Sequence, residues 1–217
     1  MKRILVVLIL SIGMALLGGC KSKTAPASAP EAPGNPGGGE AAASQLSEPP
    51  TLDVGLSVEQ AYAAIPHRRT VWDENDSTVP AEEKAYLRVL FAVIDQGVAV
   101  RVAGLQNYSA RQYDAVDPVD GYDRLIGFAR GMTVPPALAS YHQRILEGLA
   151  GQRQFFADWK AERDGFRFAR QIGDHTGARN ASAALRAAYN ELMSKYPNET
   201  AANKDAFFDY HCALDFL

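Results

Sequence analysis

The chain has 217 residues, of which 47% are hydrophobic and 22% are charged, the usual composition of a globular protein. Its formal net charge of −3 leaves no basic excess to neutralise phosphates, which argues against a nucleic-acid-binding protein. With two cysteines, the chain lacks the residues for a disulfide framework or an all-cysteine zinc site.

The first 17 residues have the pattern of an export signal. Lys2 and Arg3 are followed by an apolar run over residues 4–17, interrupted only by Ser11 and Gly13. The run is shorter than the roughly 20 residues that a membrane-spanning helix needs, and it has the length of a secretory h-region. The pattern therefore predicts export across a membrane.

The next residues complete a motif for lipid attachment. Leu17-Gly18-Gly19-Cys20 resembles the lipobox of bacterial lipoprotein precursors. The resemblance implies cleavage between Gly19 and Cys20, diacylglycerol on the Cys20 sulfur and acylation of the new amino terminus. Lys21 and Ser22 follow, and neither is the aspartate that retains enteric lipoproteins in the inner membrane. By that analogy the protein faces the periplasm from the outer membrane of a Gram-negative cell.

A tether is expected between the lipidated cysteine and a folded domain. Pro, Gly, Ala and Ser make up 21 of the 30 residues from 21 to 50, a composition that cannot bury enough surface to order itself. We assign residues 1–19 to the signal peptide, 20–55 to Cys20 and a disordered linker, and 56–217 to an all-helical domain.

Apolar residues beyond the linker recur at helical spacing, and cap residues mark where helices begin. A capping box at Ser57 predicts a short helix that ends near Ile65, and Pro80 opens a long helix to about Gly104. Further starts are expected at Asp120 as a cap, at Pro135–Pro136, near Gly177 and after Thr200. These segments predict an all-α bundle of about four principal helices with short accessory helices.

Arg101 is the most unusual residue of the long helix, because helical periodicity places it within the apolar face. A buried guanidinium needs a carboxylate, a carbonyl or a bound anion. One interpretation groups Arg101 with His142 and Gln152 in a polar pocket between helices; the alternative is a structural ion pair. Gly97 and Gly104 flank Arg101, and either open room for a ligand or let another helix approach closely.

Two charged segments allow binding interpretations. Residues 66–72 are basic and aromatic and could hold an anion, or could belong to a surface loop in which they pair with the acidic residues 73–76. Four aspartates recur every third residue and could bind a hard cation such as Ca²⁺, although their spacing matches no calcium loop and favours a solvated loop. They are Asp114, Asp117, Asp120 and Asp123.

The histidines and the second cysteine give little support for catalysis or a resident metal. No two of His67, His142, His175 and His211 stand three or four residues apart, and no hydrolase or phosphate-loop motif occurs. His142 or His211 could ligate a non-covalent haem, but the sequence favours a hydrogen-bonded histidine at the core edge in each case. Cys212 is the thiol that remains after lipidation of Cys20, either buried or available for pairing between molecules. We therefore assign no catalytic residue, metal or cofactor.

The sequence thus favours a cell-envelope lipoprotein whose helical domain binds an envelope protein or a small ligand. One alternative is a carrier of a small ligand, metal or haem near Arg101. A second alternative is an enzyme whose site is assembled from scattered residues without a recognisable motif.

Overall fold

The computed structural model describes residues 48–66 and 68–216, without the side chains of residues 169 and 170. Within these residues the regular structure is helical and no strand occurs, which confirms the predicted all-α bundle. The signal sequence, Cys20, the linker up to residue 47 and His67 lie outside the described residues.

The described part contains seven α-helices and two single turns of 3₁₀-helix. The turns are Pro136–Leu138 and Arg163–Gly165. The helices are α1 (Val58–Ala63), α2 (Ala81–Ser109), α3 (Pro118–Arg130), α4 (Ala139–Glu162), α5 (Phe168–Gln171), α6 (Thr176–Lys195) and α7 (Ala201–Leu214).

Helix α2 forms the centre of the bundle and packs against α1, α3, α4 and α7. By length and composition it could cross a membrane, but 78% of its most apolar window is buried inside the protein. The apolar residues of α2 therefore form the core of a helical domain. Helix α4 lies between α3 and α6, and its contact with α6 is the most extensive one between any two helices of the described chain.

The local cap residues confirm most of the predicted helix starts. Ser57 Oγ accepts from the Gln60 amide at 3.2 Å, the Gln60 side chain accepts from the Ser57 amide at 2.9 Å, and Thr200 caps α7. The predicted start of α3 at Asp120 is wrong, because Asp117 accepts from the Val119 amide at 3.0 Å. Pro118 then occupies the first helical position, which its restricted φ favours.

The packed domain begins slightly before residue 56. Leu52 and Val54, in the segment assigned to the linker, are only 6% and 5% exposed. The Leu52 amide also donates to the Gln96 side chain at 3.3 Å. These contacts tie the start of the described chain to α2.

The irregular segment between α1 and α2 is attached to α7 by buried polar side chains. Glu199 is 4% exposed and accepts from Ser77 Oγ at 2.7 Å and from the Thr78 amide at 3.0 Å. Asn203 accepts from the Asp73 amide at 2.8 Å and donates back to the Asp73 carbonyl at 2.9 Å. These hydrogen bonds satisfy backbone groups that no helix pairs.

Candidate functional site

A wide cleft of the described domain lies beside the contact between α4 and α6. The two helices approach so closely that a Cβ on Gly151 would stand 2.5 Å from the Gly177 carbonyl oxygen. A Cβ on Gly177 would stand 2.7 Å from the carbonyl oxygen of Gly151. Glycine is therefore required on both sides of this contact.

The groove along this contact has a volume of about 1060 Å³ and is widely open to solvent. Its surface combines small residues with polar and charged ones. The small residues are Ala150, Gly151, Gly177, Ala183 and Ala184. The polar and charged residues are Arg144, Glu147, Gln154, Asp158, Gln171, Asp174, His175, Thr176 and Asn180.

His175 joins the two helices at one end of the groove. Its Nδ1 accepts from the Ala178 amide at 3.3 Å, so the hydrogen-bonding pattern assigns the proton to Nε2. That nitrogen lies 3.0 Å from Asp158 Oδ2, to which it donates. Because both ring nitrogens are engaged, His175 caps α6 and orients Asp158 rather than offering a free base.

Carboxylates dominate the charge of the groove. Glu147, Asp158 and Asp174 line it, whereas its one arginine, Arg144, donates to Glu191 at 3.0 Å and is largely neutralised. An acidic groove attracts groups of positive charge and hydrogen-bond donors. The arrangement can bind such groups, but it holds no nucleophile activated by a base.

The hydrophobic periodicity of a single helix does not reveal this groove, because the groove depends on which two helices pack together. Gly148, Gly151 and Gly177 are the sequence features that could have indicated it. A Cβ on Gly148 would also come within 2.8 Å of the Leu185 side chain. Glycines inside otherwise regular helices mark places where another chain segment comes close.

Arg101 and Gln152, two of the three predicted pocket residues, meet at the end of α7. Arg101 is 4% exposed, and its Nη2 donates to the Ala213 carbonyl at 2.7 Å. Gln152 is fully buried; its Nε2 donates to the Leu214 carbonyl, and its Oε1 accepts from the Tyr122 hydroxyl. Both side chains therefore satisfy carbonyls that lack partners within α7.

This position explains why a charged side chain is tolerated in the apolar face of α2. Burial lowers the pKa of Arg101, while Tyr122 and Asp215 act in the opposite direction. The guanidinium also lies at the negative end of the α7 dipole, where a cation is favoured. Its Nε, however, is buried without a hydrogen-bond partner.

His142, the third predicted pocket residue, has a different partner. Its Nδ1 lies 2.6 Å from the hydroxyl of Tyr86 on α2, and burial lowers its pKa. The α4–α6 groove is lined by none of Arg101, His142 and Gln152. A ligand pocket around these three residues stays a prediction.

His211, the other haem candidate, is held by hydrogen bonds at both nitrogens. Its Nδ1 donates to the Phe207 carbonyl, so Nε2 accepts from the Tyr141 hydroxyl at 3.1 Å. Burial lowers its pKa to about 4. The neutral ring is thus part of the buried hydrogen-bond network.

The four regularly spaced aspartates each have a nearby cation. Among the described residues, no group of three or more histidines, cysteines or acidic side chains is arranged to hold a metal ion. The pairs are Asp114–Arg163 at 4.0 Å, Asp117–Lys160 at 2.8 Å, Asp120–Arg124 at 3.0 Å and Asp123–Arg153 at 2.7 Å.

The basic segment before α2 also forms ion pairs, but with residues outside its acidic neighbour. Arg69 pairs with Asp95 at 2.5 Å and with Glu59 at 3.4 Å, and Arg68 lies 3.8 Å from Asp205. These pairs attach the segment to α1, α2 and α7.

Gly97 and Gly104 permit close packing. A Cβ on Gly97 would lie 3.0 Å from the Leu214 side chain, and one on Gly104 would lie 2.8 Å from the Phe156 ring. Neighbouring side chains therefore occupy the space beside both glycines.

Comparisons with protein-family models, curated proteins and solved structures find no match for this chain.

Proposed function

We propose that the protein is a cell-envelope lipoprotein that holds a helical binding domain at a membrane surface. The observation that carries the proposal is the order of the basic start, the apolar run and Leu17-Gly18-Gly19-Cys20. Lipid chains on Cys20 anchor the chain, and Lys21 and Ser22 favour the outer membrane, facing the periplasm.

The spacing between Cys20 and the folded domain supports this arrangement. About 30 residues rich in Pro, Gly, Ala and Ser separate Cys20 from the packed residue Leu52. A flexible chain of that length has an end-to-end distance of about 30 Å. A tether of this reach would confine the domain to a thin layer next to the membrane. This confinement raises the effective concentration of the domain toward partners at the same membrane.

The binding surface of this proposal is the α4–α6 groove. Its carboxylates Glu147, Asp158 and Asp174 favour a partner segment that carries positive charge. The groove is long and open, which suits a segment of an envelope protein better than an enclosed small molecule. Binding to such a partner is the function that this geometry supports best.

Replacement of Cys20 tests the anchor. Cys20→Ser removes the sulfur that accepts diacylglycerol, so we expect an unprocessed precursor of higher mass that incorporates no labelled fatty acid. Cys212→Ser is the matched control, because it removes the second thiol of the chain and leaves the lipobox intact. Equal labelling of the Cys20→Ser and control proteins would refute the lipoprotein proposal.

Charge reversal in the groove tests the binding surface. Asp174→Lys changes an exposed residue that lines the groove, and Glu82→Lys makes the same charge change at an exposed residue of α2, away from it. In affinity capture from envelope extracts, we expect Asp174→Lys to lose the main partner of the wild-type protein and Glu82→Lys to retain it. Loss with both variants, or with neither, would show that the groove is not the binding surface.

A further inference from the structure

The α4–α6 groove follows two helices that run in opposite directions. Arg144, near the start of α4, donates to Glu191 near the end of α6 at 3.0 Å. Asp158, near the end of α4, lies 3.0 Å from His175, which precedes α6. From Arg144 to Asp158 the α4 side of the groove is about 20 Å long at the rise of a helix. This length fits a partner segment of about four helical turns.

The small residues that line the groove determine which backbone conformation can enter it. The exposed residues Ala150 and Ala183 line the groove from α4 and α6, and they offer no hydrogen-bonding side chain. An extended segment would place its own N–H and C=O groups against these methyl groups and remove their water. No strand occurs among the described residues, so no sheet edge there could pair with such a segment. An α-helix pairs its backbone groups internally and avoids this loss.

Two other common modes of peptide recognition need residues that the groove lacks. Polyproline segments bind between aromatic rings, and phosphorylated segments bind clusters of arginine. None of the described residues that line the groove is Phe, Tyr or Trp, and Arg144 is already paired with Glu191. Small side chains, in contrast, let the axis of a further helix come close to α4 and α6. The mode that remains is an amphipathic helix lying in a groove.

The carboxylates of the groove determine the charge pattern of such a helix. Among the described side chains, Glu147 and Asp174 form no ion pair, and Asp158 is bonded to His175. Glu147 and Asp158 are 11 residues apart, close to three turns, so they lie on the same face of α4. Asp174 adjoins His175 and therefore lies at the Asp158 end. A helix that runs beside α4 thus meets carboxylates at both ends of a span of about 16 Å.

We propose that the groove binds an α-helix of a partner protein, with two cations 11 residues apart on the face toward α4. One lysine or arginine faces Glu147, and the other faces Asp158 and Asp174. Apolar side chains between the two cations cover the small residues around Ala150 and Ala183. The inference rests on the proposed function, because it uses the same groove, and it adds the conformation and the charge spacing of the partner.

Photo-crosslinking in intact cells tests the conformation of the partner segment. The full-length protein carries p-benzoylphenylalanine in place of Ala150 or Ala183, and the control carries it in place of Ala202, an exposed residue of α7 outside the groove. We expect both groove positions to crosslink to one segment of the same protein, at residues three, four or seven apart, and the control position to leave that segment unlabelled. Attachment at every second residue, or no crosslink from either groove position, would overturn the proposal.

The crosslinked segment, made as a labelled peptide, gives a second measurement. A proline at a central position that faces away from the groove should weaken binding by more than about tenfold, and alanine there should not, because only proline breaks the helix. Glutamate in place of the cation that faces Glu147 should also weaken binding. Glu147→Lys should restore this binding, and Glu82→Lys should not. Equal affinity of the proline and alanine peptides would contradict a bound helix.

Affinity capture with Asp174→Lys separates a wrong conformation from a wrong surface. If this variant loses the partner while the proline and alanine peptides bind equally, the groove remains the binding surface and only the helix is refuted. If the variant retains the partner, the proposed function itself fails.

Discussion

At the scale of single residues, His211 shows how burial converts an ordinary side chain into a source of pH dependence. The ring is neutral because burial lowers its pKa, although the hydrogen bond from Nδ1 to the Phe207 carbonyl acts in the opposite direction; Tyr141 donates to Nε2. The ring of Tyr189 on α6 also faces it, with centroids 6.2 Å apart. If His211 becomes protonated, none of these three neighbours supplies a carboxylate to balance its charge.

We therefore predict that acidification destabilises the protein through His211. The unfolded chain protonates this histidine near pH 6.5, but the folded chain does so only near pH 4. Between these values the unfolded state binds more protons, so the free energy of unfolding falls as the pH falls. The full loss from this residue is about 3 kcal/mol.

Urea unfolding at pH 7 and pH 4.5 measures this effect. His211→Gln removes the titrating group, while His142 and the carboxylates titrate in both proteins, so the difference between the proteins isolates His211. The variant should lose less stability than wild type between the two pH values. An equal loss in both proteins would show that His211 does not contribute.

Residue-level predictions from sequence succeed where the physics is local. The Ser57 capping box and the Thr200 cap depend on residues within one turn, and both are present. Asp117 replaces the predicted cap Asp120 because the proline after Asp117 starts α3 earlier. The unusual position of Arg101 was evident from periodicity, but its carbonyl partner is 112 residues away and could not be identified from spacing.

At the scale of helices, the α4–α6 contact depends on glycine. Gly151→Ala would place a methyl carbon 2.5 Å from the Gly177 carbonyl oxygen, a backbone atom that cannot move alone. We expect a loss of about 1–3 kcal/mol in the free energy of unfolding, from overpacking. Chemical denaturation measures it.

Gly127→Ala is the matched control, because Gly127 lies inside α3 and a Cβ there meets no atom within 4 Å. Alanine should stabilise this helix by about 0.5–1 kcal/mol through its better helix propensity. Equal effects of the two substitutions would contradict the close-packing account and leave the origin of the groove unexplained.

Helix positions were largely predictable, and helix partners were not. Apolar spacing and prolines place the long helices, but α2 continues to Ser109 beyond the predicted end at Gly104 because no residue in that turn stops it. The groove arises from the pairing of Gly151 with Gly177, which no pattern within either helix specifies. Its carboxylates come from α4 and from the turn before α6, so they meet only after folding.

At the scale of the whole molecule, we propose that an anchor and a tether hold the helical domain. The described domain contains a hydrophobic core whose members run from Leu52 to Phe216. Under the proposed function, the anchor determines where the domain acts, and the acidic groove determines what it contacts. The first of these roles requires that Cys20 become the lipidated first residue of the mature protein.

The intact mass of the protein isolated from its native membranes tests that requirement most directly. The account predicts a chain that begins at Cys20 and carries the added mass of a diacylglycerol, with or without a further acyl chain on the amino group. A chain that retains residues 1–19 and carries no lipid would contradict the anchor, the location and the tethered mode of action together.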